Sequence, residues 1–454
     1  MDAASPSQVA HSRVTSAQVF AIAGPAMVAN LTTPLLGIVA TIAIGRLGNA
    51  TLLGGVAMAS VIFDCMFWLF GFLRMGTVAL TAQATGARDT GEVGALLLRG
   101  FVIAGLTGLG LIVLQIPLAT VVFDAMGGSA NVTHAARSYF AIRIWSAPMA
   151  LANYVVLGWL IGQARASLAL SVQIAINLVN MTATVVLVLV FDFGIAGAAI
   201  AAIVAETSGL IIGILIARRI TRNSLVAPAA ALFDRAKLMR MFTVNRDIMI
   251  RTAALITAFL FFTAQGARAG DVTLAANAVL NNFLLISAFF LDGLANAAEQ
   301  MCGRAVGASD RHGFTGATRL VILWGFAFAL AVTAVYALAG THLIDIMTAS
   351  TDVRLIARDY LWLAALAPVL GVFAFAYDGI YIGATWTRDM RNLMVLSLVI
   401  FLAAWWALRP FGNSGLWGAL LVLYAARGGL QGLRYPALLK ATFPVLMPPA
   451  NPRP

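Results

Sequence analysis

Six ionisable side chains stand inside long apolar stretches of this chain: Asp64, Glu206, Arg251, Asp292, Glu299 and Asp378. A charge held in hydrocarbon costs a few kcal/mol even on the mildest insertion scales, so each retained one needs a partner or a task. The task open to an isolated carboxylate in such a place is to take up and release a proton or a small cation. Asp292 and Glu299 are seven residues apart, close to two helical turns, which sets them on one face about 10 Å apart along the axis. Either can serve exchange or be locked in a salt bridge, with Arg251 or Arg304 as the partner. Asp378 follows the run Phe373-Ala374-Phe375-Ala376-Tyr377. That setting suits a proton-exchanging acid or a carboxyl hydrogen-bonded to a tyrosine or a backbone carbonyl. Glu206 reads first as a bridge partner for Arg427. Asp64, beside Cys65 and Phe67, reads as a local bond or a cavity-lining group.

Neutral polar groups accompany them. Asn177, Asn180, Gln265, Asn277, Asn281 and Asn282 sit among apolar residues, where such side chains bond neighbouring helices or line a polar cavity. The four-residue spacing of Asn277 and Asn281 puts those two on one face. With Arg251 they form the set of cavity candidates. No metal and no cofactor is expected. The histidines His11, His134, His312 and His342 are too scattered for a ligand pair on one helix, and Cys65 and Cys302 have no CxxC spacing.

The elements that position these groups read as membrane-spanning helices. Hydrophobic residues make up 61% of the chain and charged ones 10%, with a mean hydropathy of +0.92. Soluble domains are about half apolar and a quarter charged. At 20 to 25 residues per crossing, 454 residues allow about a dozen spans and no large soluble domain. Apolar runs place helices near 19–45, 52–84, 93–123, 134–161, 166–191 and 195–217, then 247–267, 273–305, 314–347, 353–384, 391–408 and 416–440. The chain thus divides into a tail over 1–17, a first bundle over 18–217, a basic linker over 218–246, a second bundle over 247–440 and a tail over 441–454. Arg218, Arg219, Arg222, Arg235, Lys237, Arg240 and Arg246 fall in the linker, which makes it cytoplasmic, with both termini on the same side. The net charge of +11 is therefore a topology signal and not a nucleic-acid-binding surface.

The two halves repeat one another. Gly86-Ala87-Arg88-Asp89 aligns with Gly307-Ala308-Ser309-Asp310, and the same 221-residue register pairs Asp124 with Asp345, Arg137 with Arg358, Gly158 with Gly379, and Gly162 with Gly383. Six crossings per repeat is an even number, so the halves share one orientation and are related by an axis along the membrane normal. In this register Asp378 faces Leu157, Asp292 faces Gly71, and Glu206 faces Arg427. The acids are not repeated.

Local sequences resemble the multidrug and toxic compound extrusion (MATE) family, and within it the DinF-like branch. The resemblance is carried by Pro34-Leu35-Leu36-Gly37-Ile38-Val39, by Phe72-Leu73-Arg74-Met75, by Arg246-Asp247-Ile248-Met249-Ile250-Arg251-Thr252, by Leu291-Asp292-Gly293 with Ala297-Ala298-Glu299, and by Asp378-Gly379-Ile380-Tyr381-Ile382-Gly383. These stretches run in order over nearly the whole chain. The resemblance implies two six-helix bundles in a V, exporting amphipathic, usually cationic compounds by alternating access against a proton or sodium gradient. It also exposes a departure: the aspartate that DinF-like proteins carry after the Pro-Leu-Leu-Gly stretch is here Ala40, and a second acidic position of the family is Thr184.

No GxSxG, HExxH, Walker A or GxGxxG stands in a suitable context, so an enzyme is not expected, and transport has to draw on an ion or substrate gradient. The reading is an inner-membrane exporter of amphipathic cations with a small-molecule substrate, the bilayer and a coupling ion, the proton before sodium, as partners. Its alternative is an organic-anion exporter or lipid-precursor flippase on the same plan, for which Arg74, Arg143 and Arg251 are the available mid-span cations. Because nothing at position 40 titrates, Ala40→Asp is expected to raise export driven by a proton gradient in vesicles. An unchanged rate and pH profile would place coupling elsewhere.

Overall fold

The computed structural model describes residues 14–221 and 232–444. The expectations for the two tail ends and for Arg222 through residue 231 of the linker lie outside the described residues. Everything regular among the described residues is helical. Twelve long helices account for the spans: α1 Ser16–Gly45, α2 Ala50–Gly86, α3 Thr90–Val113, α4 Ala130–Gly162, α5 Ala166–Val190 and α6 Gly194–Ile220. The second half supplies α7 Arg235–Arg268, α8 Asp271–Gly307, α9 Arg311–Met347 and α10 Thr351–Gly383. A short 3₁₀ turn at Arg409–Phe411 then divides α11 Thr387–Leu408 from α12 Gly412–Thr442. Helices are forced here because hydrocarbon offers no partner for a free backbone amide.

Sequence expectation and structure agree on twelve spans, and differ where helices bend or run on. α7 begins at Arg235, twelve residues before the expected 247, so the basic residues from Arg235 to Arg246 form its first turns instead of a loop. The third span breaks at Leu114 and resumes as Gln115–Met126. α4 turns through a 3₁₀ step at Ile144–Ser146 just before Pro148, and α5 ends in a π-turn at Val186–Val190. Pro25 and Pro34 lie inside α1 without ending it.

The repeat is visible in atomic detail. Arg88 and Ser309, 221 residues apart, both take left-handed backbone angles at the ends of α2 and α8 (φ 58° and 53°), and Ala164 and Thr385 do so after α4 and α10 (φ 61° and 56°). Each closes its helix in the same way. The following amide reaches back to a carbonyl five residues earlier, as Asp89 N to Ala84 O at 3.0 Å and Asp310 N to Ala305 O at 2.8 Å, which satisfies carbonyls the helix end would otherwise strand. Asp89 and Asp310 then cap α3 and α9 by accepting from the Glu92 and Gly313 amides. The ion pair Arg137–Asp124 at 2.9 Å recurs as Arg358–Asp345 at 2.7 Å.

Glycines set how closely the helices approach. In the first bundle, a Cβ on Gly158 or Gly162 would strike the α2 backbone at Arg74 O or Val78 O. In the second, Gly379 and Gly383 meet α8 at Ala295 O and Glu299 O, the repeat-related atoms. Both are small-xxx-small contacts that let backbones touch. The two bundles meet where α2 and α8 end: Gly86 abuts Arg304 O and Gly307 abuts Gln83 O, a reciprocal pair about the repeat axis. Gln83 Nε2 also donates to Gly383 O across this seam at 2.8 Å. This is the end at which α6 and α7 are joined, and the bundles are sealed there.

A methyl group at this seam has nowhere to go, since the opposing atom is backbone. Gly307→Ala is expected to lose about 1–3 kcal/mol of stability, read as a lower unfolding temperature in detergent, whereas Gly105→Ala, with open space around its Cβ position, should not lower it.

Candidate functional site

Within the first bundle lies a cavity of about 590 Å³, walled by α1, α2, α4, α5 and α6 and reached from the second bundle by Phe289 and Asn296 of α8. Its polar face is built from four elements. α2 contributes Asp64 and Arg74, α4 contributes Arg143 and Asn153, α5 contributes Asn177 and Asn180, and α6 contributes Glu206. Phe67, Trp68 and Tyr154 supply aromatic surface. The proline in α1 that lies nearest, Pro25, and the small residues Ala26 and Ala29 leave the space open on that side.

The charges in this cavity are arranged unequally. Arg74 Nη1 donates to Asn296 Oδ1 at 2.7 Å, tying α2 to α8 across the bundle boundary. Arg143 stacks over the Phe63 ring at 4.5 Å and donates to the Tyr139 hydroxyl at 3.1 Å. Neither arginine forms an ion pair among the described residues. Glu206 Oε2 accepts from Asn153 Nδ2 at 2.7 Å, and the same amide nitrogen also holds the Glu206 backbone carbonyl at 2.8 Å. Asp64 is exposed to the cavity. The expected bridge between Glu206 and Arg427 does not form, because the repeat places those residues in different bundles, and each finds a partner inside its own.

Of the expected cavity residues, Asn177 and Asn180 line the space. Asn177 is held by Gln173 and itself donates to Thr32 Oγ1 of α1 at 2.7 Å. Asn180 accepts from Thr184, so the position where the family carries its second acid is hydrogen-bonded within α5. Leu36, one turn before Ala40, lines the cavity, and Ala40 itself presents no polar atom. Asn277, Asn281, Gln265 and Arg251 stand elsewhere. Asn277 is buried in a reciprocal amide pair with Asn413 of α12, at 2.8 and 2.9 Å, and accepts from Trp417. Asn281 is exposed, Gln265 is half-buried, and Arg251 is drawn into an ion cluster.

That cluster corrects the expectation for Asp378. The acid is not alone in an apolar run: Arg251 of α7 and Arg427 of α12 both pair with its Oδ2, the latter at 2.7 Å, and Gln431 Nε2 donates to Oδ1 at 3.0 Å. Arg251 therefore serves Asp378, and among the described residues neither Arg251 nor Arg304 bridges Asp292 or Glu299. Asp292 is exposed on α8 without an ion pair. Glu299 is 2% exposed, and its Oε2 has no hydrogen-bond partner. Asp64, read as a local bond or a cavity-lining group, and Glu206, read first as a bridge partner, both line the first-bundle cavity. The available signal was that both are acids in helices whose repeat mates are not.

A family model for MatE matches residues 25–186 and 248–404, one stretch in each bundle. The chain belongs to the MatE family. DNA damage-inducible protein F of Escherichia coli is 36% identical over 90% of this chain and 89% of its own length. A protein of Caulobacter vibrioides described as probable multidrug resistance protein NorM is 27% identical over 89% of this chain and 87% of its own. A crystal structure of a MATE protein in a bent conformation superposes with a TM-score of 0.85 at 18% identity, covering 94% of this chain and 95% of that one. MatE proteins are transporters, not enzymes. The first-bundle cavity and the Asp378 cluster are thus two differently charged interiors of one multi-span membrane transporter.

Removing the Asp378 charge would leave two buried arginines facing each other. Asp378→Asn is expected to cost about 3–5 kcal/mol of stability, measured as lost thermal stability and lower yield of folded protein. Asp292→Asn, at an exposed acid without an ion pair, should stay within about 0.5 kcal/mol.

Proposed function

We propose that this chain exports amphipathic, cationic small compounds across the bacterial inner membrane, in exchange for protons, by alternating access between its two bundles. The observation that carries this reading is the first-bundle cavity. Its volume falls in the range of small-molecule sites, its walls are aromatic and apolar, and its two carboxylates, Asp64 and Glu206, have no ion pair among the described residues. An organic cation would satisfy such acids and stack on Phe67, Trp68 or Tyr154. Kinship with a protein described as a multidrug resistance protein supports the same class of cargo. Asp292, exposed and unpaired on α8, is the coupling candidate of the second bundle.

The basic turns at Arg235, Lys237, Arg240 and Arg246 support a cytoplasmic position for the sealed seam and both termini, in which case this form opens away from the cytoplasm.

A second reading rests on Arg74 and Arg143, which line the same cavity and would receive an anionic group. The deciding experiment loads proteoliposomes with ethidium or with citrate and imposes a proton or a sodium gradient. Proton-driven ethidium export with no citrate movement is the expected result. Citrate export with ethidium retained would establish the anionic reading, and coupling to sodium alone would overturn the proton.

A further inference from the structure

The first bundle lacks a carboxyl at Ala40 and Thr184, yet its cavity holds an acid in a setting built for exchange. We propose that Glu206 is the proton-binding site of this bundle, with Asn153 as the group that positions it. This rests on the reading of the chain as a proton-coupled exporter.

The case begins with the geometry of Asn153. It is 2% exposed, and its amide nitrogen holds both the backbone carbonyl and the carboxylate of Glu206, which fixes the acid's direction from α4. Its other polar atom, Oδ1, is buried and has no hydrogen-bond partner. A carboxylate only accepts hydrogen bonds, and the nitrogen serves that form. A protonated carboxyl needs an acceptor for its O–H, and the vacant Oδ1 on the same amide serves that form after the amide turns. One side chain thus answers both protonation states of Glu206. Gly209, one turn along α6, lies against Ile176 and borders the same amide: a Cβ there would strike Ile176 and stand 3.2 Å from Asn153 Nδ2.

Its surroundings keep the acid available. Of the charged groups facing the cavity, α2 contributes Asp64 and Arg74, and α4 contributes Arg143 together with the Tyr154 hydroxyl. α1 and α5 contribute no charge, and α8 contributes the neutral Asn296. Both arginines are engaged elsewhere, Arg74 by Asn296 and Arg143 by Phe63 and Tyr139, so neither clamps Glu206 in an ion pair. This differs from Asp378, which pairs with two arginines.

The exchange balances one proton per cycle. With the cavity open to the outer side, water delivers H⁺ to a Glu206 oxygen, the negative charge vanishes, and a bound organic cation loses its counter-charge and departs. After the bundles reopen toward the cytoplasm, the O–H bond breaks, the proton leaves to cytoplasmic water, and the carboxylate draws in the next cation. Only the acid's occupancy differs between the two loadings, so the same cavity binds cargo strongly on one side and weakly on the other.

Two measurements test this. Infrared difference spectra of the reconstituted protein, recorded on either side of neutral pH, should contain a protonated-carboxyl stretch that disappears in Glu206→Gln and shifts in Asn153→Ala but persists in Asp64→Asn. This readout does not depend on transport, so it reads the site even if ethidium proves not to be a cargo. In proteoliposomes, Glu206→Gln, which fixes the uncharged form, should bind ethidium more weakly than the wild type and without the wild type's pH dependence of binding, and should lose the dependence of ethidium export on the proton gradient; Ala40→Asp added to Glu206→Gln should restore that dependence. A band that survives in Glu206→Gln, or proton-driven export unchanged in that variant, would overturn the assignment and leave the exporter reading standing. Wild-type vesicles that move no ethidium under any gradient would instead overturn the exporter reading for this cargo.

Discussion

The structure hangs on a contact between two backbones. Where α2 and α8 end, Gly86 lies against the Arg304 carbonyl and Gly307 against the Gln83 carbonyl, and no side chain fits between them. Because the pair is reciprocal, it places the repeat axis on this seam. The bundles also touch along α1 and α8, where Asn30 Nδ2 donates to the Phe289 carbonyl at 3.3 Å and Gly293 lies against Met27 and the Ala23 carbonyl. The glycine pairs Gly158/Gly162 and Gly379/Gly383 fasten α4 to α2 and α10 to α8 within each bundle.

On this shared frame the bundles handle buried charge in opposite ways. In the second, Asp378 is enclosed by Arg251, Arg427 and Gln431, a network whose loss would strand two buried arginines. In the first, Asp64 and Glu206 face a cavity, and Glu206 is held by the neutral amide of Asn153. Sequence duplication supplied one scaffold, and divergence at a few interior positions gave the two halves different arrangements of buried charge. The clearest pair is Glu206 and Arg427: they occupy equivalent places, yet one waits in a cavity beside Asn153 and the other neutralises Asp378.

This contrast also explains what could be read in advance. The 221-residue register is carried by short local patterns, and each reappears as a local structure: the left-handed residues after α2, α4, α8 and α10, the caps at Asp89 and Asp310, and the ion pairs from Asp124 and Asp345. Such features depend on a few neighbouring residues. The partner of Arg251 did not yield to the same reasoning. Asp378, Asp292 and Glu299 all sit at comparable depth, and which of them meets Arg251 is settled by how α7, α8, α10 and α12 rotate about their axes, a property of packing rather than of spacing. Of the cavity candidates, Asn177 and Asn180 line the first-bundle cavity, while Asn277 and Asn281, which share a helical face in sequence, part ways for the same reason: one is bonded to Asn413 and the other is exposed.

Alternating access requires that the cytoplasmic seal be strong enough to hold and cheap enough to break, and the seam meets both conditions through its composition. A glycine-lined contact gains dispersion energy over backbone atoms while burying no large side chain that would have to be pulled out into water. Its polar ties include a salt bridge from Lys237 of α7 to Glu92 of α3 at 2.7 Å and the bond from Gln300 to the Gly162 carbonyl. Gln83 reaches Gly383, Thr385 and Arg240, and Arg74 reaches Asn296. Gln83 lies three residues from the end of α2, so when the seam parts, cytoplasmic water replaces its bonds at little net loss. Arg74 lies a further nine residues inward, and its bond to Asn296 lines the cavity itself. On the proposed function, parting of the seam would expose that bond to the water that takes up the proton, which would link hydration of the cavity to separation of the bundles.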